Sequence, residues 1–194
     1  MTFQDRNKDE IIKRGLEMYA KLRKQADKYT HAEIMALIYK QVDYTTGSPE
    51  MQEQISCGRG CSACCNREVL MSKFEAEHLK HMIAGSVKPN QERLDQQAGK
   101  DYQGLKWAQR ACSLLDDQGN CTIYENRPIF CRTHNSTEDP KNCQEDIHNP
   151  GEIIGHRQAY HLDLEAVQMA LYHLSGGNIQ NLANTLKQLE NESK

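Results

Sequence analysis

The chain has 194 residues and a formal net charge of −3, with 24 basic residues against 27 acidic ones. This balance lacks the electrostatic footprint of a nucleic-acid binder, and no apolar stretch approaches the roughly 20 residues that span a bilayer. Ile, Leu, Val and Phe make up only about 18% of the sequence, a fraction that buries little apolar surface per residue.

Something must supplement so sparse a core, and the eight cysteines are the obvious supplement. Structural metal binding can contribute on the order of 10 kcal/mol of folding free energy. The first ten residues are polar and lack the apolar run and cleavage site of a signal peptide. A cytoplasmic location is therefore expected. In that reducing compartment, clustered thiols serve as metal ligands or redox groups rather than disulfides.

In chain order, residues 5–29 predict a long amphipathic helix, with Ile12, Leu16, Tyr19, Arg23, Ala26 and Tyr29 on one stripe. Thr30 and Glu33 have the form of a capping box and open a second helix through Ile34, Leu37, Ile38 and Val42. Residues 45–49, Thr-Thr-Gly-Ser-Pro, end it. The first cysteine cluster follows: Cys57-Gly-Arg-Gly-Cys61-Ser-Ala-Cys64-Cys65. Its glycines permit sharp turns that let neighbouring sulfurs converge. Ser72 and Glu75 form a second capping box, for a helix through Leu79, Met82 and Ile83. Glu75, Glu77 and Lys80 read there as exposed surface, with His78 and His81 solvated or capping.

Residues 85–104 are polar and predict a loop followed by a weak helix. Trp107 reads as a core residue. Cys112 and Cys121 fit the ends of a small hairpin turning at residues 116–120, with residues 122–124 as a short strand beyond it. Pro128 suits the first position of a short helix carrying Cys131. Residues 133–150, with Cys143, are irregular. Tyr160, Leu164, Val167, Leu171 and Leu174 predict a helix stopped at Gly176-Gly177. Asn178 is a candidate N-cap for another helix through Ile179, Leu182, Leu186 and Leu189. The two form a helical hairpin over 157–192.

Thiolate is the soft ligand that zinc, copper(I) and iron–sulfur centres select. Eight thiols suffice for two four-coordinate sites, or for one site plus free redox thiols. A simple zinc ribbon would show two short knuckles, and here the second is missing. Side chains of adjacent residues usually diverge, so Cys64 and Cys65 suit different metals or opposite sides of one polynuclear cluster. Arg59, Arg67, Arg127 and Arg132 flank the cysteines and could offset thiolate charge. For Arg127 and Arg132 an ion pair with Glu125 or Asp116 is the alternative. Tyr124 reads as a catalytic hydroxyl or as packing. One of His134, His148, His156 and His161 could replace a cysteine as ligand.

These residues resemble the zinc- or iron-chelating cysteine-cluster family, the CxxCxxCC or YkgJ-type domain. The match rests on Cys57, Cys61, Cys64 and Cys65, on Cys112 and Gly119-Asn120-Cys121 with Tyr124-Glu125-Asn-Arg127-Pro128 and Cys131-Arg132, and on Cys143, over about residues 55–147. Two departures are the three residues between Cys57 and Cys61, where the family pattern has two, and Ser113, where proline is common. The resemblance implies metal binding and fixes no reaction.

Taken together, the expected fold is mainly α: a helical scaffold around an irregular cysteine-rich metal-binding core with at most a small β-hairpin. One domain is expected over 1–194, with N-terminal helices in 1–54, the cysteine core in 55–147 and the helical hairpin in 157–192. The expected ligands are Cys57, Cys61, Cys64, Cys65, Cys112, Cys121, Cys131 and Cys143, with Tyr124, Arg127 and Arg132 around them. They would hold an iron–sulfur cluster or zinc, with iron–sulfur preferred. The expected function is cytosolic metal binding with a redox role; the alternatives are a structural or carrier module binding zinc and a thiol redox sensor. A protein partner is left open.

Overall fold

The computed structural model describes residues 2–84, 86–146, 148, 153–155 and 157–192. The chain is mainly helical. Thr2 caps α1 (Phe3–Arg6) through a reciprocal box with Asp5. The single helix expected over 5–29 is broken at Asn7, whose side-chain amide takes the Phe3 carbonyl at 2.9 Å and so competes with helical continuation. Helix α2 then runs Lys8–Ala26. Its buried stripe is Ile11, Gly15 and Leu22, rotated by about one residue from the expected face, and Leu16 and Tyr29 are exposed. Gly15 explains the rotation. A Cβ there would lie 2.8 Å from the Met169 side chain, so the missing side chain lets the helix over Leu162–Leu174 approach closely.

Helix α3 (His31–Thr46) starts at the expected capping box of Thr30 and Glu33 and buries Ile34, Met35, Ile38 and Val42. Ser48 caps the short α4 (Pro49–Gln52). Strand β1 (Leu70–Ser72) leads into α5 (Lys73–Ile83). Here the expected exposed surface is overturned: Glu75, His78 and Lys80 are buried. Ser72 does cap the helix, accepting from the Glu75 amide at 3.1 Å. The Glu75 carboxylate does not return the bond; it accepts instead from the amide of Ile129, far along the chain.

The polar stretch after α5 contains α6 (Gln91–Gln97). Trp107 is only half-buried, in a 3-10 turn, and the buried ring nearby is Tyr102. The next helix is α7 (Ile129–Thr133), with Pro128 at its N-cap, followed by α8 (Leu162–Leu174). Ile179 does not enter a helix. It begins β2 (Ile179–Asn181), which pairs antiparallel with β1 in the register Leu70–Asn181, Met71–Gln180 and Ser72–Ile179. Helix α9 (Leu182–Glu192) follows directly. Asn181, not Asn178, caps it, accepting from the amides of Ala183 and Asn184.

Two apolar clusters result. The first joins α2, α3, α4, α7 and α8 around Met35, Ile38, Val42, Met51 and Val167. The second joins α5, α6, α9 and the segment 112–131 around Leu79, Leu94, Leu114, Ile123 and Leu186. The two C-terminal helices thus serve different clusters, α8 lying chiefly on α2 and α9 on α5 and α6. Cys112, Cys121, Phe130 and Cys131 pack against the second cluster, so the cysteine segment completes a core that aliphatic residues alone leave thin. Among the described residues no helix is long and apolar enough to cross a membrane.

Candidate metal centre

The first cysteine segment is held by backbone bonds to the last. Ser56 donates from its amide to the Ser136 carbonyl at 2.8 Å and from its hydroxyl to Thr137 at 3.0 Å. The Ser136 amide donates to Cys57 Sγ at 3.1 Å, and the Ser136 hydroxyl lies 3.8 Å from Cys143 Sγ. Gly60, with φ of 91°, reverses the chain between Cys57 and Cys61. A 3-10 turn over Ala63–Asn66 carries Cys64 and Cys65. Their side chains do not diverge as adjacent residues usually do: both line the same cavity, and each thiol shifts the other, Cys65 upward and Cys64 downward. The tight turn sets both sulfurs on one side.

The second set docks on the first. The Cys112 amide donates to the Cys65 carbonyl at 2.9 Å. The expected hairpin is present in shortened form, as one antiparallel bridge between Leu115 and Cys121. Asp116 closes its turn, accepting from the amides of Gln118 and Asn120. Residues 122–124 do not continue as a strand, because Tyr124–Asn126 winds into a 3-10 turn. Cys131 rides on α7. Cys143 follows a 3-10 turn over Pro140–Asn142 and has the Gly155 carbonyl 3.9 Å from its sulfur.

Seven of the eight cysteines line one cavity of about 90 Å³, together with Tyr124, Arg127, Phe130 and His134. Cys143 stands at its edge, joined through Ser136 and Cys57. All eight are free thiols. Burial pushes the Cys57, Cys61, Cys112, Cys121 and Cys131 thiols up, Cys112 to about 11. Neighbouring sulfurs add to the effect. Cys57 feels Cys61, Cys64 and Cys143, while Cys131 feels Cys112, Cys64 and Cys121. Cys64 is common to both groups. Its own thiol is pulled down, first by the neighbouring Cys65 thiol and then by its own backbone amide, Arg67 and Arg127, against the effect of burial.

The Cys57 sulfur accepts the Ser136 N–H at 3.1 Å, and the backbone amides of Ala63, Leu114 and Ile123 act to lower the Cys61, Cys112 and Cys121 thiols against the effect of burial. In these three the amide is two residues ahead of the sulfur. Such donors favour the thiolate and tune a bound metal. Among the described residues no group of three or more Cys, His, Asp or Glu side chains is arranged to hold a metal ion. The donor set nevertheless fits a thiophilic metal: free thiols around one small cavity, amides aimed at sulfur, and an arginine at the rim.

Residues 56–151 match the family model described as "Putative zinc- or iron-chelating domain", CxxCxxCC. This segment is a CxxCxxCC domain. No curated protein and no solved structure matches the chain. The CxxCxxCC domain contains every cysteine of the chain and most of the second apolar cluster, to which α9 adds Leu182, Ala183 and Leu186, while α2, α3 and α8 lie outside it and supply most of the first.

The arginines of the CxxCxxCC domain divide by role. Arg127 lines the cavity and lies 4.0 Å from the centroid of the Tyr124 ring, with Arg59 at 4.9 Å to the same centroid. Its charge lowers the Cys64 and Cys121 thiols, as expected of a group offsetting thiolate. Tyr124 is the ring that holds Arg59 and Arg127 in place. Arg59 also pairs with Glu125 at 2.7 Å, both exposed. Arg132 does not belong with them. It is buried, pairs with Asp43 of α3 at 2.5 Å, lies 4.2 Å from the Tyr39 ring centroid and donates to the Glu125 carbonyl. Neither Glu125 nor Asp116 is its carboxylate partner.

Of the four histidines, His134 is buried on the cavity wall and stacks on Phe130 at 5.3 Å. His148 is exposed, and His161 caps α8 through the Asp163 amide. His156 lies outside the described residues. The sequence reading missed Ser136, Asp43 and the turn of Glu75 toward Ile129. Ser136 carries no motif. Glu75 carries a misleading one, because a capping box predicts a carboxylate used at its own helix end.

Proposed function

We propose that the eight cysteines hold one polynuclear thiolate-ligated metal centre, preferentially iron–sulfur. The observation that carries this reading is that cysteines of both sets line one small cavity, with Cys64 acting on Cys57 and Cys61 of the first set and on Cys112 and Cys131 of the second. A thiolate between two groups of thiolates is suited to bridge metals, and two isolated mononuclear sites would have no use for it. The bound centre would supply electron transfer or Lewis acidity, and the chain supplies the donors. Its amides stabilise the thiolates, Arg127 offsets their charge and Phe130 limits water. The protein would act in the cytosol as a redox protein. Anaerobic purification followed by metal and sulfide analysis and electron paramagnetic resonance tests this. Iron with acid-labile sulfide and visible absorption supports it; a colourless protein with stoichiometric zinc overturns the redox reading.

A second reading, a structural zinc module, is favoured by one observation: Cys112, Cys121 and Cys131 pack directly on the second apolar cluster. Chelation that unfolds the α5, α6 and α9 region without any redox signal would support it.

A further inference from the structure

A second cavity, of about 250 Å³, opens between the β1–β2 ribbon, α7 and α8. Its walls are largely hydrocarbon, from Leu70, Met71, Ile129, Phe130, Leu171 and Ile179. Leu70, Tyr172 and Ile179 at its mouth are each more than two-fifths exposed. One carboxylate lies in this apolar slot. Glu75 is 3% exposed, and one of its oxygens accepts from the Ile129 amide. The other accepts no hydrogen bond among the described residues. Nor is it sealed away, since the buried side-chain polar atom without a partner among these residues is the Tyr39 hydroxyl. Glu75 has no ion-pair partner among them either. The cation behind it, Arg132, is already committed to Asp43 and to the Glu125 and Arg127 carbonyls.

An apolar slot with one convergent, half-satisfied carboxylate at its floor has the features of a small-ligand site. Its chemistry selects the ligand. A hydrocarbon body would cover the exposed apolar rim, and a cationic N–H donor would satisfy the free oxygen and balance the charge that the carboxylate carries when ionised, which no ion pair among the described residues offsets. We propose that this slot binds a small organic cation, an alkyl- or arylalkyl-ammonium ion whose N–H donates to Glu75. Phe130 is a wall of both this slot and the cysteine cavity, so the bound cation would sit one side chain away from the thiols. The proposal depends on neither the identity nor the presence of a metal there.

Benzylammonium chloride, titrated at pH 8, where Glu75 is ionised and the ligand remains a cation, into the full-length protein as purified and followed by methyl NMR shifts, is the test. Saturable shifts confined to residues around the slot are expected. Glu75→Gln should weaken binding by roughly tenfold or more, the loss of a charge-assisted hydrogen bond in a dry site. Benzyl alcohol, of the same shape but uncharged, should bind similarly weakly. Ile179→Trp, at a half-exposed position in the mouth, should block binding while circular dichroism and metal content stay unchanged, so loss of the slot is separable from loss of the fold. Absence of saturable shifts, undiminished binding by Glu75→Gln, or equal binding of benzyl alcohol overturns the proposal.

Discussion

The amide of Cys112 donates to the carbonyl of Cys65 at 2.9 Å, and this bond joins the two cysteine sets across the excursion 66–111. It places Cys112 directly behind the Cys64–Cys65 turn, so that Cys64 ends between the two sets. Cys64→Ser should therefore remove most of the bound metal, whereas Cys143→Ser, at the edge of the cavity, should remove only part. Metal analysis of the two variants side by side checks this. Equal losses would show that Cys64 has no special position.

Gly155 holds the far edge of the site. A Cβ there would lie 2.5 Å from the Asn142 carbonyl oxygen, which is backbone and cannot swing aside. Gly155→Ala should displace the segment that carries Cys143 and lower metal retention. The melting of α2, α3 and α8 should change little, because their cluster lies elsewhere. Chelator-challenge kinetics with thermal denaturation separates the two effects.

Arg132 ties α3 to the cysteine segment. Its side chain is 7% exposed, and truncation to Ala would remove the Asp43 pair, two bonds to backbone carbonyls and the stacking on Tyr39. The expected cost is about 2–4 kcal/mol in urea denaturation. Asp43→Ala should cost about 1 kcal/mol or less, because Asp43 is 56% exposed and solvent screens its half of the pair. Similar losses in both variants would mean that the ion pair, rather than the buried guanidinium network, carries the tie.

Glu75 gives a pH signature. Burial raises its carboxyl from the ordinary value to about 7, against the opposing effects of the Ile129 amide and Arg132. Between the unfolded value near 4.5 and about 7 the native state holds the extra proton, so this group's contribution to stability is present at low pH and is lost as pH rises through that window. Burial depresses His31 and His78 over part of the same range, which acts in the opposite direction. The difference between the wild type and Glu75→Gln isolates the carboxyl. The variant should lose about 1–3 kcal/mol less stability between pH 5 and 8 in denaturant titrations. Parallel pH profiles would rule out a buried, proton-binding Glu75.

Much of this protein is legible in its sequence, where the signal is local. The capping box at Thr30 fixes the start of α3, because a hydroxyl and a carboxylate three residues apart satisfy each other's amides wherever the chain goes. The cysteine spacings with Arg127-Pro128 and Cys131 pointed to a thiolate metal domain, because thiol density in this pattern has few other uses. What the sequence left open depends on partners distant along the chain. Strand β2 exists because Ile179–Asn181 meets Leu70–Ser72, and nothing within residues 175–185 announces that neighbour. The stripe of α2 turned by a residue because Gly15 meets Met169. Glu75 abandoned its own helix end for Ile129, and Arg132 turned from the thiols to Asp43. The sequence by itself determined the donor chemistry, since which atoms can bind a soft metal is a property of the residues. Only the tertiary structure decided that Cys64 stands between both sets and that a lone carboxylate faces an apolar slot, because burial and pairing arise when separate segments exclude water from one another.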